Sequence, residues 1–151
     1  MIIYTDGSAH PTNPGPGGFG VVVLDNDENV ITCYSKQTKE ITTNNREEIK
    51  AILYTLLTYG NNKQPPIVYS DSAYCVNTFT NWMYGWAGKG WIKSDKKPPE
   101  NLDLIKVYYD YVKKGYKIDL RKVKGHSGHR WNELADGLAT GRITDWRKEI
   151  K

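Results

Sequence analysis

A chain of 151 residues is the size of one domain and is long enough to bury a proper core. Its 38% hydrophobic and 25% charged residues exclude a disordered polymer, and no apolar run approaches the roughly 18 residues of a membrane span. A net charge of +4 admits an anionic partner such as nucleic acid without demanding one.

The chain opens on MIIYTDGS, a strand whose Ile2, Ile3 and Tyr4 are apolar on both faces and which ends on Asp6. A carboxylate at the end of a central strand stands where α/β sheets place their ligands. The chain enters a strand at once and shows no basic segment followed by an apolar one, so no secretory signal is expected. Cys33 and Cys75 read as separate buried thiols of a reducing compartment, so a cytoplasmic location is expected. Residues 9–18, rich in proline and glycine, exclude a helix or an interior strand. Residues 19–25 (FGVVVLD) and 29–36 (NVITCYSK) form a hairpin, so three antiparallel strands come first.

Asn44 is then a good N-cap, with Glu47 three positions on. Ile49, Ile52, Leu53 and Leu56 make the buried face of a helix ending near Gly60. At about 100° per residue Glu48 borders that face, and Glu47 points nearly opposite, to solvent. After Pro65-Pro66, residues 67–71 (IVYSD) repeat the pattern of a buried strand closed by a carboxylate, here Asp71. Residues 72–79 read as helix, 101–114 as an amphipathic helix, 116–123 as a strand and 129–140 as the last helix. The order predicts an α/β mixed sheet with helices on both faces. Residues 1–151 form a single domain, with about 144–151 a flexible tail.

The lysines are unevenly placed. Lys89, Lys93, Lys96 and Lys97 share a segment with Trp82, Trp86 and Trp91, and Lys113, Lys114, Lys117, Arg121, Lys122 and Lys124 form a second cluster. Cations interleaved with aromatics suit a phosphate backbone. Among 17 acidic residues most simply face solvent, but Asp6 and Asp71 close buried strands and Glu48 opens a helix beside its core face. Periodicity alone does not select Asp136.

TDGS at 5–8, NPGPGG at 13–18, TNNREE at 43–48, SDS at 70–72 and KGHSGHRWNELAD at 124–136 resemble, in order, the motifs of the type 1 ribonuclease H family. The resemblance runs from Met1 to about Ile143. It implies a ribonuclease H-like five-stranded sheet, three strands antiparallel and two parallel, and an endonuclease that cuts the RNA strand of RNA/DNA hybrids. The implied ligands are two Mg²⁺ ions about 4 Å apart, with Mn²⁺ as a substitute, since an oxygen-only donor set favours hard cations. Asp6 bridges them, Glu48 and Asp71 hold the first, and Asp136 helps hold the second. His126, in a glycine-flanked loop, corresponds to the residue that moves protons or aids product release. The products carry 5′-phosphate and 3′-hydroxyl ends.

Asn13, Asn44 and Asn45 match the family's polar contacts to the hybrid, and Thr43 matches part of its DNA-phosphate pocket. Trp82 and Trp86, four apart on a helix, are read equally as deoxyribose platform or core, and Trp91 as structural. Residues 82–99, with Lys89, Lys96 and Lys97, resemble the basic protrusion of cellular members, although Ala87-Gly88 stands where basic residues are frequent. The expected partner is hybrid duplex, with no membrane and no obligate protein; the expected state is a monomer. Two alternatives stay open on the sequence alone. One is a non-catalytic module binding hybrid or double-stranded RNA, against which four retained carboxylates argue. The other is a DNA nuclease or transferase on the same fold.

Overall fold

The computed structural model describes residues 1–123 and 129–150. A five-stranded sheet lies at its centre in the order β3-β2-β1-β4-β5. The strands are β1 (Ile2–Ala9), β2 (Gly15–Leu24), β3 (Val30–Thr42), β4 (Ile67–Ser70) and β5 (Asp119–Lys122). β1, β2 and β3 pair antiparallel, β4 joins β1 in parallel, and β5 joins β4 in parallel. The mixed sheet expected from the sequence is the one observed.

Helices cover both faces, which is why the central strands are apolar on both sides. Ile3, Val21 and Val23 pack under α1 (Asn44–Tyr59), α2 (Ala73–Asn77) and α4 (Leu102–Lys113), with Ile49, Ile52, Leu56, Cys75 and Ile105 in the same core. Tyr4, Val22 and Leu24 point the other way, onto Trp131, Leu134, Ala135 and Leu138 of α5 (Arg130–Ala139). Between α2 and α3 (Met83–Gly88) the chain widens into one π-helical segment, Thr78–Trp82.

Several boundaries differ from expectation, each for a non-local reason. β1 does not stop at Asp6. It continues to Ala9 because Gly17, Gly18, Phe19 and Gly20 pair with it, so the glycine-rich run is part of an interior strand. Pro16 is accommodated at a register shift between Gly15 and Gly17, and its ring is exposed. β3 runs to Thr42, not Lys36. β5 covers only Asp119–Lys122 because its partner β4 is four residues long. In the C-terminal segment Trp146 and Ile150 lie partly buried against the α5 core.

α1 is capped by Thr43, not Asn44: the Thr43 hydroxyl accepts the Arg46 N–H at 3.1 Å. The Asn44 side-chain oxygen is already occupied, accepting the Ala9 N–H at 2.7 Å. Glu47 is not solvated either. It is 1% exposed, and its Oε2 accepts from Thr42 Oγ1 at 2.7 Å and pairs with Lys50 Nζ at 2.8 Å. The added length of β3 covers the helix surface that periodicity assigned to water.

Candidate active site

Strand register brings the first two carboxylates level. Thr5 pairs with Ser70 across the parallel β1–β4 ladder, so the next residue on each strand is Asp6 and Asp71. β4 ends there, while β1 passes on paired with β2 alone. Glu48, one turn into α1, arrives at the same point because α1 lies directly on β1. A Cβ at Gly7 would collide with the backbone of Glu47 and Glu48, so glycine is what permits this approach. Asp6, Glu48 and Asp71 each offer an oxygen within 4.8 Å of the others.

This cluster is largely removed from water: Asp6 is 6% and Glu48 7% exposed, and Asp71 is half-buried. Burial pushes the Asp6 carboxyl up to about 7, with Asp71 and Asp136 adding their negative charge and a hydrogen bond from Glu48 offsetting part of the shift. Burial, then the charge of Asp6, drives Glu48 well above the ordinary carboxylate range. The Gly7 N–H donates to Asp6 Oδ1 at 2.9 Å and fixes the carboxylate's orientation. Glu48 Oε2, by contrast, is buried with no hydrogen-bond partner among the described residues. A buried, oxygen-only donor set with an orphaned acceptor and mutually repelling charges fits a hard divalent cation.

Asp136 comes from the opposite face, on α5. The helix seats close to β2 because Gly20, the register partner of Asp6, has no side chain; a Cβ there would stand 2.6 Å from the Ala135 carbonyl oxygen and from Leu138 Cβ. Asp136 lies close enough to Asp6 to raise its pKa, yet its side chain is 54% exposed and 3.8 Å from the Arg142 guanidinium. It belongs to the rim of the cluster, outside the tight triad. His126 lies outside the described residues. His129, expected only as a helix-start residue, takes the N-cap position of α5, with its Nε2 3.1 Å from the Tyr4 hydroxyl. His10 is an exposed loop residue.

The expected substrate-contact residues fall in two places. Asn13, Thr43, Asn44 and Asn45 are all exposed around the N-terminus of α1, beside Glu48. Two of them also brace one another, the Asn13 side-chain oxygen accepting the Asn44 N–H at 3.1 Å. Trp82 and Trp86 lie 6.2 Å apart, centroid to centroid, along a groove shared with Lys89, Ile92 and Lys93. Trp82 is 41% exposed, whereas Trp86 packs on the main core, so the two tryptophans divide between surface and core. Trp91 stands edge-on to Tyr109 at 5.2 Å, a packing position. Lys89, Lys96 and Lys97 are exposed. Sequence reasoning missed Gly7 and Gly20 as determinants of the site; each is a glycine in a strand of β-branched and apolar residues, the signal of a close approach.

A family model described as RNase H matches residues 1–144. The ribonuclease H of Shewanella halifaxensis is 44% identical over 145 residues, spanning 92% of this chain and 83% of that protein. Among solved structures, the PFV RNase H domain is 25% identical with a TM-score of 0.77, covering 91% of this chain and 90% of that one. LC11-RNase H1, solved in complex with an RNA/DNA hybrid, is also 25% identical, with a TM-score of 0.67 over 91% of this chain and 92% of its own. With its carboxylates gathered at the end of the parallel ladder, the chain belongs to the ribonuclease H family.

Proposed function

We propose that this protein hydrolyses the RNA strand of RNA/DNA hybrids as a single cytoplasmic domain, monomeric and dependent on Mg²⁺ or, in its place, Mn²⁺. The observation that carries this is the desolvated Asp6–Glu48–Asp71 cluster in a chain of this family. The related LC11-RNase H1 was solved with such a hybrid, which supports the substrate class.

Asp6, Glu48, Asp71 and Asp136 are the residues that would hold the cations, with Asp6 central to the other three. Bound there, two such ions would activate a water, grip the scissile phosphate and stabilise the leaving 3′-oxygen, giving 5′-phosphate and 3′-hydroxyl ends. The unpartnered Oε2 of Glu48 is the oxygen that would serve as its ligand atom. Gly7 keeps Asp6 aimed at the centre. By family likeness His126 moves protons or aids product release. Asn13, Thr43, Asn44 and Asn45 flank Glu48 and would read the hybrid where one strand carries 2′-hydroxyls and the other does not. Trp82, with Trp86 behind it, would stack on deoxyribose, and Lys89, Lys96 and Lys97 would grip backbone phosphates.

The test is cleavage of end-labelled, sequence-matched RNA/DNA, RNA/RNA and DNA/DNA duplexes in Mg²⁺ or EDTA. The expected result is cutting of the RNA strand of the hybrid alone, abolished by EDTA and reduced about 100-fold or more in Asp6→Asn. Equal cutting of DNA/DNA, or cutting that survives EDTA, would overturn the reading.

A further inference from the structure

Asp136 is the least constrained of the four carboxylates. Asp6 and Glu48 are buried and Asp71 directly follows Ser70, whose register against Thr5 is fixed, but Asp136 reaches the cluster only because α5 holds it there. What fixes α5 therefore fixes the fourth ligand position. One end of the helix is tied by β3, two strands away from the site. Gln37 Nε2 donates to the carbonyl oxygens of Leu138 and Ala139, both at 3.0 Å, and Ser35 Oγ donates to the Leu138 oxygen at 3.0 Å.

These side chains reach α5 because β2 steps aside. Across the β2–β3 ladder Gln37 pairs with Gly18 and Ser35 with Gly20. A Cβ at Gly18 would collide with the Gln37 amide, and one at Gly20 with α5 itself. Two glycines spaced one residue apart thus clear a channel over β2, through which two polar side chains of β3 cap the final turn of α5. Those carbonyls lie in the last turn of the helix, where neutral or positive donors are favoured, and the Leu138 oxygen also accepts the Gly141 N–H at 3.3 Å.

We propose that Gln37 is a positioning residue for the metal site: by holding the last turn of α5, it sets where Asp136 stands relative to Asp6. The proposal rests on the metal-binding reading of the carboxylates and adds to it a residue from β3 that touches none of them. A metal ligand set through a helix should lose affinity when the helix loses its anchor, though by less than a direct partner of a ligand would cost, about 3- to 10-fold.

The experiment is a double-mutant cycle read by calorimetric titration of Mn²⁺ into hybrid-free protein, at a temperature where melting curves show every variant folded. Gln37→Leu keeps the bulk and removes both donors. The expected result is a several-fold weaker affinity in Gln37→Leu that disappears when the same change is made in Asp136→Asn. Rescue by Gln37→Lys, which restores a donor at the helix end, is expected as well. Unchanged affinity in Gln37→Leu, or an equal loss in the Asp136→Asn background, would overturn the proposal. Should Gln37→Leu fail to fold, Ser35→Ala, which removes one donor only, is carried through the same cycle. Absence of hybrid cleavage would count against the proposed activity but leave this cycle readable, because its signal is heat of metal binding.

Discussion

Asp6 and Glu48 are folded against their own electrostatics. A carboxyl whose folded pKa is about 7, against about 4 in the unfolded chain, binds its proton more tightly when folded. The folded state then loses stability as pH rises from about 4 to about 7, the reverse of a salt-bridged carboxylate. Without divalent ions, Asp6→Asn should therefore melt higher than the natural chain at pH 8, and the difference should vanish near pH 4. At about 1.4 kcal/mol per pKa unit the ceiling is about 4 kcal/mol, and sharing of the proton with Glu48 lowers it. Scanning calorimetry in EDTA at the two pH values measures this directly. Mg²⁺ should then raise the melting temperature of the natural chain and leave that of Asp6→Asn nearly unchanged. Equal melting temperatures at pH 8 in EDTA would show that desolvation of Asp6 is not the dominant cost.

At the scale of elements, the site depends on how closely α1 and α5 can approach the sheet, and glycines decide that. Gly7→Ala must move the α1 backbone away from β1 and carry Glu48 with it. The expected cost is about 3 kcal/mol in urea unfolding, with loss of cleavage well beyond what the unfolded fraction explains. Gly85→Ala is the control: its Cβ meets nothing within 4 Å, so this substitution in α3 should be neutral or slightly stabilising. The same geometry explains what could be read in advance. Asp71 and Glu48 were legible because a strand end and a helix start are local patterns, and Asp6 because it follows an apolar run, although β1 continues past it to Ala9. Glu47 was misassigned because the far end of β3, which buries it, is set by pairing with glycines that propensity counts as turn formers. Asn44 gave up its cap because Ala9, 35 residues earlier, claims its oxygen. Asp136 could not be found by periodicity at all, since a half-exposed residue on an amphipathic helix carries no burial signal; only its motif marked it.

Across the whole molecule local pairing separates two groups of cations that composition merges. Lys113 and Lys114 lie over the rings of Tyr109 and Tyr111 at 5.4 and 4.7 Å, and Arg121 is paired with Asp119 at 2.7 Å. These charges are engaged within the fold, on α4 and β5. Lys89, Lys96 and Lys97 extend from the segment that carries the exposed Trp82 and form no ion pair among the described residues. If hybrid lies along the Trp82 groove, counterion release should track the second group and not the first. Replacing Lys89, Lys96 and Lys97 together by Ala should lower the slope of log affinity against log salt by about 2 to 3, at roughly 0.9 for each phosphate left without its cation. Replacing Lys113 and Lys114 by Ala should leave that slope within error and act on stability, because the attraction between ammonium and tyrosine ring is removed. Fluorescence anisotropy of a labelled hybrid between about 50 and 200 mM salt, in Ca²⁺ to suppress cleavage, separates the two outcomes. An unchanged slope in the triple variant would move the hybrid off this groove and leave the carboxylate cluster, with Asn13, Thr43, Asn44 and Asn45 beside it, as the point of attachment.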